Sequence, residues 1–456
     1  MLPNKYESGR QRYPELVTML SLPVGKPRPW LPPAALAGAQ LSLGVSWVLL
    51  GILAARGTLA MSFAALAWVH LVALGWLTLT ALAVLFHVIP GFMDVEIPAE
   101  GFARGMLWVF IGGLAVMVAG FWSSEPTWIA CGGVGLTTGL LGTGVPLAVA
   151  VASGAVAQSR ARARQGGKKK RSPAAPFVLA FATVFIALLL AAGIGLAMAG
   201  GLASWWPSAA LALAAVHAHL AVGGWLTLLV MGVSMRTLVR ITGVRRSRPV
   251  FHVAASAGFL FGIAVLVMGL AIGVRVLAIV GAVVSALSLI VFVYDAGMML
   301  LASRDPHRVV RAFLGSSLGY LLVTLVLGLL VLGGRADLEP AYVYVALVGW
   351  LGQMVVGHLH HIGIRFLLTQ VRGENDETEP VAVLSAPLSW ATWASAQAGI
   401  LLGTAGLALA LAPLVEIAAA CGFVSWLMQV ANAMRVVRET AGVRAEPSIL
   451  PRKLGQ

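Results

Sequence analysis

The sequence has 456 residues, of which 59% are hydrophobic and 11% are charged, and its mean hydropathy is +0.91. A soluble protein of this size needs more polar surface than this composition supplies, so a soluble enzyme is excluded. The formal net charge of +14 does not indicate a nucleic-acid partner, because the basic residues lie between long apolar runs and follow the pattern of a membrane protein.

Twelve apolar runs follow one another along the chain, and each is long enough to cross a bilayer as a helix. Helices are expected because the backbone in lipid has no water to satisfy its polar groups. We predict spans at 34–55, 62–90, 104–123, 128–152, 176–200, 208–238, 250–272, 276–301, 311–333, 341–369, 390–410 and 414–434. The sequence therefore predicts an all-α polytopic membrane protein.

The distribution of Lys and Arg predicts the orientation of these spans. If the N-terminus is cytoplasmic, all but three of the 31 Lys and Arg residues lie on the cytoplasmic side, and the outer loops hold only Arg56, Arg275 and Arg335. We expect a multi-pass protein of a bacterial-type inner membrane, with the lipid bilayer as a partner. The tails 1–33 and 435–456 are expected in the cytoplasm.

Three of the predicted spans resemble one another around a Gly-Trp pair. Aligning Trp76, Trp225 and Trp350 makes each of these spans the second of four. The chain then divides into three four-helix units, and binding sites in membrane proteins with internal repeats tend to lie between the repeats. The predicted units are 34–152, 176–301 and 311–434, with a basic cytoplasmic linker at 153–175 between the first two.

The same register sorts the histidines into two layers. The helical rise places His70 and His87, seventeen residues apart, about 25 Å from each other, so they belong to opposite halves of the membrane. We call one group the outer layer: His70, His217, His219, Tyr342 and Tyr344. The inner layer is His87, His252, His358, His360 and His361, with Arg236 and Arg365 nearby.

Histidines inside a membrane are costly and are candidates for function, and imidazole commonly binds haem iron and copper. His217 and His219 differ by about 200° around a helix, so they should face different neighbours. His358 and His361 are three residues apart and should share a face.

The string HAHLAVGGWLTLLVMG, which begins at His217, resembles a helix of the haem–copper oxidase superfamily. The likeness is to the C-type oxidases and their nitric-oxide-reductase relatives, in which a His-x-His followed by Gly and Trp carries two haem ligands. With its trailing Arg236, the string is also similar to the NnrS-type membrane proteins of nitric-oxide stress, a haem- and copper-binding group. Twelve spans in three four-helix arcs match the oxidase catalytic subunit.

The resemblance implies a b-type haem, with copper as a second cofactor. The positional counterparts of the low-spin haem ligands are His70 and His360, and those of the copper ligands are His217, His219 and His252. The seventh span lacks the adjacent histidine pair of a working oxidase. A complete oxygen-reductase site is therefore not expected.

Our leading hypothesis is a haem- or copper-binding membrane protein in electron transfer or nitric-oxide-related redox chemistry, with quinol or a redox protein as its partner. Whether it is an oxidoreductase stays open. An outer centre would use His70 with His219 or His217. An inner centre would use His87 with His361, braced by His358, and Arg236 or Arg365 would neutralise haem propionates.

Two other hypotheses remain open. One is a transporter of a metal, haem or small ligand that uses a histidine relay, with Asp295 and Glu416 as proton-coupling candidates. The other is a non-catalytic subunit that keeps the fold without its metal centres.

Overall fold

The computed structural model describes residues 31–93, 95–164, 175–244, 249–303, 308–372 and 383–445. These residues form helices and no strands, which confirms the predicted all-α polytopic membrane fold. Eleven of the described helices are long and apolar enough to cross a membrane. The twelfth, Ala386–Ala408, has 23 residues but carries several Ser, Thr, Trp and Gln side chains in its first half.

We number the twelve long helices in chain order. Nine of them are continuous α-helices: α1 Leu31–Ala55, α3 Glu100–Ser123, α4 Pro126–Arg164, α5 Ala175–Leu202, α7 Pro249–Ala271, α8 Arg275–Leu301, α9 Arg308–Leu332, α11 Ala386–Ala408 and α12 Ala412–Ala445. The other three are the composite helices α2 Phe63–Gly91, α6 Ala210–Thr242 and α10 Ala336–Leu368. Because α4 continues to Arg164, the first part of the expected linker is helical, and most of the rest of the linker lies outside the described residues.

Each composite helix contains a π-helical segment of eight residues at the same place relative to its tryptophan. The segments are Leu71–Thr78, Leu220–Thr227 and Val345–Gly352, and each begins five residues before the Gly-Trp tryptophan. The three segments pack against one another at the centre of the molecule. One helix of each predicted unit therefore contributes to a central trio. Helix segments of this wide kind are rare and are frequently found at functional sites.

Hydrogen bonds join neighbouring members of this central trio. The indole Nε1 of Trp225 donates to the hydroxyl of Thr78 at 3.1 Å, and Nε1 of Trp350 donates to Thr227 at 3.4 Å. Thr78 and Thr227 close their own π segments two residues after the tryptophan. The third equivalent position is Gly352, which has no hydroxyl, so the ring of hydrogen bonds is open at one of its three sides.

The third and fourth helices of each unit pack as a close antiparallel hairpin. Glycines permit this approach, since a Cβ on Gly113 would lie 2.2 Å from Leu136 N and one on Gly262 would lie 2.6 Å from Ser285 N. The hairpin turns are also alike, because each contains one residue with positive φ. These residues are Ser124, Gly273 and Ala410. Close glycine contacts and a turn residue with positive φ therefore recur at all three hairpins.

Candidate metal centre

His70 lies on α2 immediately before its π segment. Its Nδ1 is 2.8 Å from the carbonyl oxygen of Leu66, one turn earlier. A carbonyl only accepts, so Nδ1 carries the proton and Nε2 keeps its lone pair. The ring stacks on Phe121 of α3, with centroids 4.8 Å apart and planes at 22°. The imidazole is therefore held in one orientation and in the tautomer that binds a metal through Nε2.

His217 of α6 has the same tautomer through a different contact. Its Nδ1 lies 2.8 Å from the carbonyl oxygen of Ala191 on α5, a neighbouring helix. Gly195, one turn further along α5, makes room for the ring, since a Cβ there would lie 2.8 Å from Cε1 of His217. The position of the imidazole is thus fixed by α5, and its Nε2 also keeps its lone pair.

The structure brings His70 and His217 together. Their ring centroids are 6.3 Å apart and their planes differ by 23°. Two imidazoles on opposite sides of one ion have ring centres about 6 Å apart when the metal–nitrogen bonds are about 2 Å. The separation of the two rings therefore fits a single metal ion held between two neutral histidines.

His219, the alternative partner of His70 in the sequence, has a different environment. Its Nδ1 donates to the carbonyl oxygen of Ala215 in its own helix at 2.7 Å. The neighbouring α5 carbonyl that holds His217 does not contact it. The predicted difference in direction between His217 and His219 agrees with these contacts.

The third unit has no histidine in the outer layer. Tyr344 occupies the position equivalent to His70 and is fully buried. Its ring stacks on Trp68 at 5.8 Å, and its hydroxyl donates to the carbonyl oxygen of Gly399 at 3.0 Å. Tyr344 therefore connects α2, α10 and α11 by packing. The outer layer is asymmetric, with its two closest imidazoles between the first and second units.

The inner-layer residues of the predicted second centre contact different neighbours. His87 packs edge-on against Phe366, with centroids 5.0 Å apart. His358 donates from Nδ1 to Met354 O at 2.8 Å, and its Nε2 lies 2.9 Å from the hydroxyl of Thr237. These contacts connect α2 to α10 and α6 to α10, but they do not join His87 to His358.

A second π segment, Leu359–Gly363, changes the geometry expected for the histidines of α10. In a π-helix the hydrogen bonds join residues five apart instead of four, so the turn is wider. The α-helical spacing that predicted a shared face for His358 and His361 therefore does not apply there. His360 is buried, donates from Nδ1 to Val356 O at 2.9 Å and packs against Phe313 at 4.9 Å. His358 and His360 of α10 therefore contact different helices, α6 and α9.

The structure separates His252 from the other predicted copper ligands. His252 Nε2 lies 2.8 Å from the carbonyl oxygen of Met231, and its Nδ1 lies 3.4 Å from Asp295 Oδ2. Met231 is fourteen residues after His217 on α6, a distance of about 20 Å along a helix. Among the described residues, no group of three or more His, Cys, Asp and Glu side chains is placed to hold a metal ion.

Arg236 and Arg365 lie in the inner layer, both half-buried, away from the His70–His217 pair. Arg236 is adjacent to Thr237, which contacts His358, and Arg365 is adjacent to Phe366, which contacts His87. Their predicted contact with haem propionates would therefore involve a haem in the inner layer only.

Three contributors to the outer pair were not predicted from the sequence: Phe121, Ala191 and Gly195. An apolar ring, a backbone carbonyl and a glycine inside apolar helices carry no chemical signal of their own. No protein-family model matches this sequence, and a search of curated proteins found no match.

Proposed function

We propose that this membrane protein binds a redox metal in its outer layer, with haem iron held between His70 and His217 and copper as the alternative ion. The observation that carries the proposal is the close approach of the two imidazole rings, both in the tautomer that can bind a metal through Nε2. Both Nδ1 atoms donate to backbone carbonyls, so both Nε2 atoms are left as ligands, with ring centres 6.3 Å apart.

The number of protein ligands favours haem. Zinc sites usually take three or four protein ligands, whereas a haem brings four nitrogen ligands of its own and needs one or two from the protein. A pair of imidazoles would supply the number of protein ligands that a haem needs. The bonds from Nδ1–H to Leu66 and Ala191 orient each ring and raise the basicity of Nε2. A bound haem would supply a one-electron couple.

The role that follows is electron transfer across part of the membrane or the handling of nitric oxide, with quinol or a redox protein as the partner. The resemblance of the His217 string to oxidase and NnrS-type proteins supports this class of chemistry. Oxygen reduction is not proposed, because His252 is engaged with Asp295 and Met231, far along α6 from His217.

The test is an optical spectrum, haem extraction and metal analysis of the detergent-purified protein. Haem bands that change on reduction, with a fixed ratio of haem to chain, support the proposal. Stoichiometric copper without haem supports the copper alternative. Protein that binds neither after growth with both supplied contradicts the proposal.

One observation favours a second candidate, a proton-coupled transporter. His252 of α7 and Asp295 of α8 form a pair whose side chains are only 1% and 7% exposed. A titratable pair at this depth suits proton binding during transport. Metal uptake into proteoliposomes driven by a pH gradient, abolished by Asp295→Asn and independent of haem, would favour the transporter over the redox protein.

A further inference from the structure

A small cavity of about 30 Å³ lies inside the third unit. Helices α9, α10, α11 and α12 contribute to its wall, and α1 and α2 of the first unit close it. Its polar lining includes Gln353, Gln429, Trp76 and Trp426, and none of its lining residues is charged. The cavity is separate from the His70–His217 pair.

Gln353 is fixed by a buried hydrogen-bond chain. Its Oε1 accepts from Gln397 Nε2 at 2.7 Å, and Gln397 Oε1 accepts from the hydroxyl of Tyr320 at 2.8 Å. In this arrangement the carbonyl end of the Gln353 amide faces Gln397. The side chain is 4% exposed, and with its carbonyl occupied, its NH2 group remains as a donor at the cavity.

Two tryptophans also line the same wall. The indole N–H groups of Trp76 and Trp426 are themselves buried away from the cavity space and have no acceptor among the described residues. Trp225 and Trp350, the repeats of Trp76, both donate to threonine hydroxyls. The six-membered ring of Trp76 instead packs against Gly352. A Cβ added to Gly352 would lie only 2.7 Å from Cη2 of Trp76. The third member of the central ring therefore differs where it borders the cavity.

These groups select the chemistry of an occupant. A surplus of N–H donors requires an acceptor, and a buried donor left without one costs about 1–3 kcal/mol. An anion would lose its hydration with no countercharge among the lining residues, so a neutral molecule is favoured. A space of this size accommodates a water or a molecule only slightly larger.

We propose that this cavity is a binding site for a small neutral hydrogen-bond acceptor, a water or an oxygen-containing molecule of similar size. The NH2 group of the Gln353 amide is its donor.

High-resolution electron cryomicroscopy of the full-length protein in nanodiscs tests the site with two variants. Gln353→Met keeps the length of the side chain and removes the amide. Ser316→Ala is the matched control, because Ser316 contacts Gln397 at 3.4 Å and does not line the cavity. We expect compact density within hydrogen-bond distance of Gln353 Nε2 in wild type and in Ser316→Ala, and none in Gln353→Met. An empty wild-type cavity, density continuous with an acyl chain, or density that persists in Gln353→Met would overturn the proposal.

Infrared spectroscopy and mass spectrometry identify the occupant. An infrared band that shifts in H₂¹⁸O and disappears in Gln353→Met identifies water. If the band does not shift in H₂¹⁸O and mass spectrometry detects a small molecule extracted from the protein, the occupant is an oxygen-containing molecule other than water.

Discussion

The indole of Trp225 donates a hydrogen bond to the hydroxyl of Thr78, which belongs to a different four-helix unit and lies 147 residues earlier in the chain. The Thr78 hydroxyl also donates to the carbonyl oxygen of Ala73 at 2.8 Å, within the π segment of α2. One side chain thus connects a wide helical turn to the next unit. Trp350 repeats the inter-unit contact with Thr227.

Thr78→Val should destabilise the protein by about 1–3 kcal/mol, because it leaves the buried N–H of Trp225 without an acceptor. In the background of Trp225→Phe, Thr78→Val should cost little further stability, since no unpaired indole N–H then remains. Thermal unfolding in detergent measures both. Thr324→Val is the control, because the hydroxyl of Thr324 bonds only to Tyr320 O in its own helix. Equal losses for Thr78→Val and Thr324→Val would contradict the role of the inter-unit contact.

Gly269→Val should separate α7 from α8. A Cβ at this position would lie 2.3 Å from Ala278 N, and backbone atoms cannot move aside as a flexible side chain can. We expect lower yield of folded protein and a lower midpoint of thermal unfolding. Gly297→Val on α8 is the matched control, since a Cβ there meets nothing within 4 Å. A fold equally tolerant of both substitutions would show that the hairpins do not need close backbone contact.

Gly195→Val should disturb the metal centre without removing a ligand. A side chain at this position occupies the space of the His217 ring, where a Cβ alone would be 2.8 Å from Cε1. We predict at least a several-fold loss of bound metal with the helical circular dichroism retained. Gly193→Val on the same helix, where a Cβ has open space, should bind metal as wild type does. Normal metal content in Gly195→Val would argue that His217 is not a ligand.

The orientation of the helices is still a prediction from the charge distribution. Reporter fusions after Ala445 and within the loop at 57–62 would measure it, because alkaline phosphatase is active outside the membrane and green fluorescent protein fluoresces in the cytoplasm. We expect fluorescence from the C-terminal fusion and phosphatase activity from the loop fusion. The reverse pattern would place His70 and His217 in the cytoplasmic half of the membrane.

The helical spans were predictable because hydropathy and length decide whether a helix can cross a bilayer. The Gly-Trp register was also visible in the sequence, and the π segments begin at the same distance from Trp76, Trp225 and Trp350. The π geometry itself was not predicted, because it depends on tertiary contacts such as the bond from Trp225 to Thr78.

The sequence predicted the depth of the candidate site in the membrane, but not which histidine pairs with His70. Helical rise places His70, His217 and His219 at similar depth, but which of the last two faces His70 depends on how α6 is rotated against α5. The carbonyl of Ala191 and the space above Gly195 decide that rotation, and both depend on the packing of α5 against α6. A pattern of side chains cannot report a backbone carbonyl on another helix.

The most direct test of the metal centre compares reduced-minus-oxidised spectra of wild type, His70→Ala, His217→Ala and His219→Ala, each purified and normalised to protein. His219 is the matched control, since it lies two residues from His217 and it is the ring of His217 that approaches His70. We predict that His70→Ala and His217→Ala each lose most of the bound haem or shift it to a high-spin spectrum, while His219→Ala keeps the wild-type spectrum. Wild-type spectra from both His70→Ala and His217→Ala would contradict a centre held by this pair.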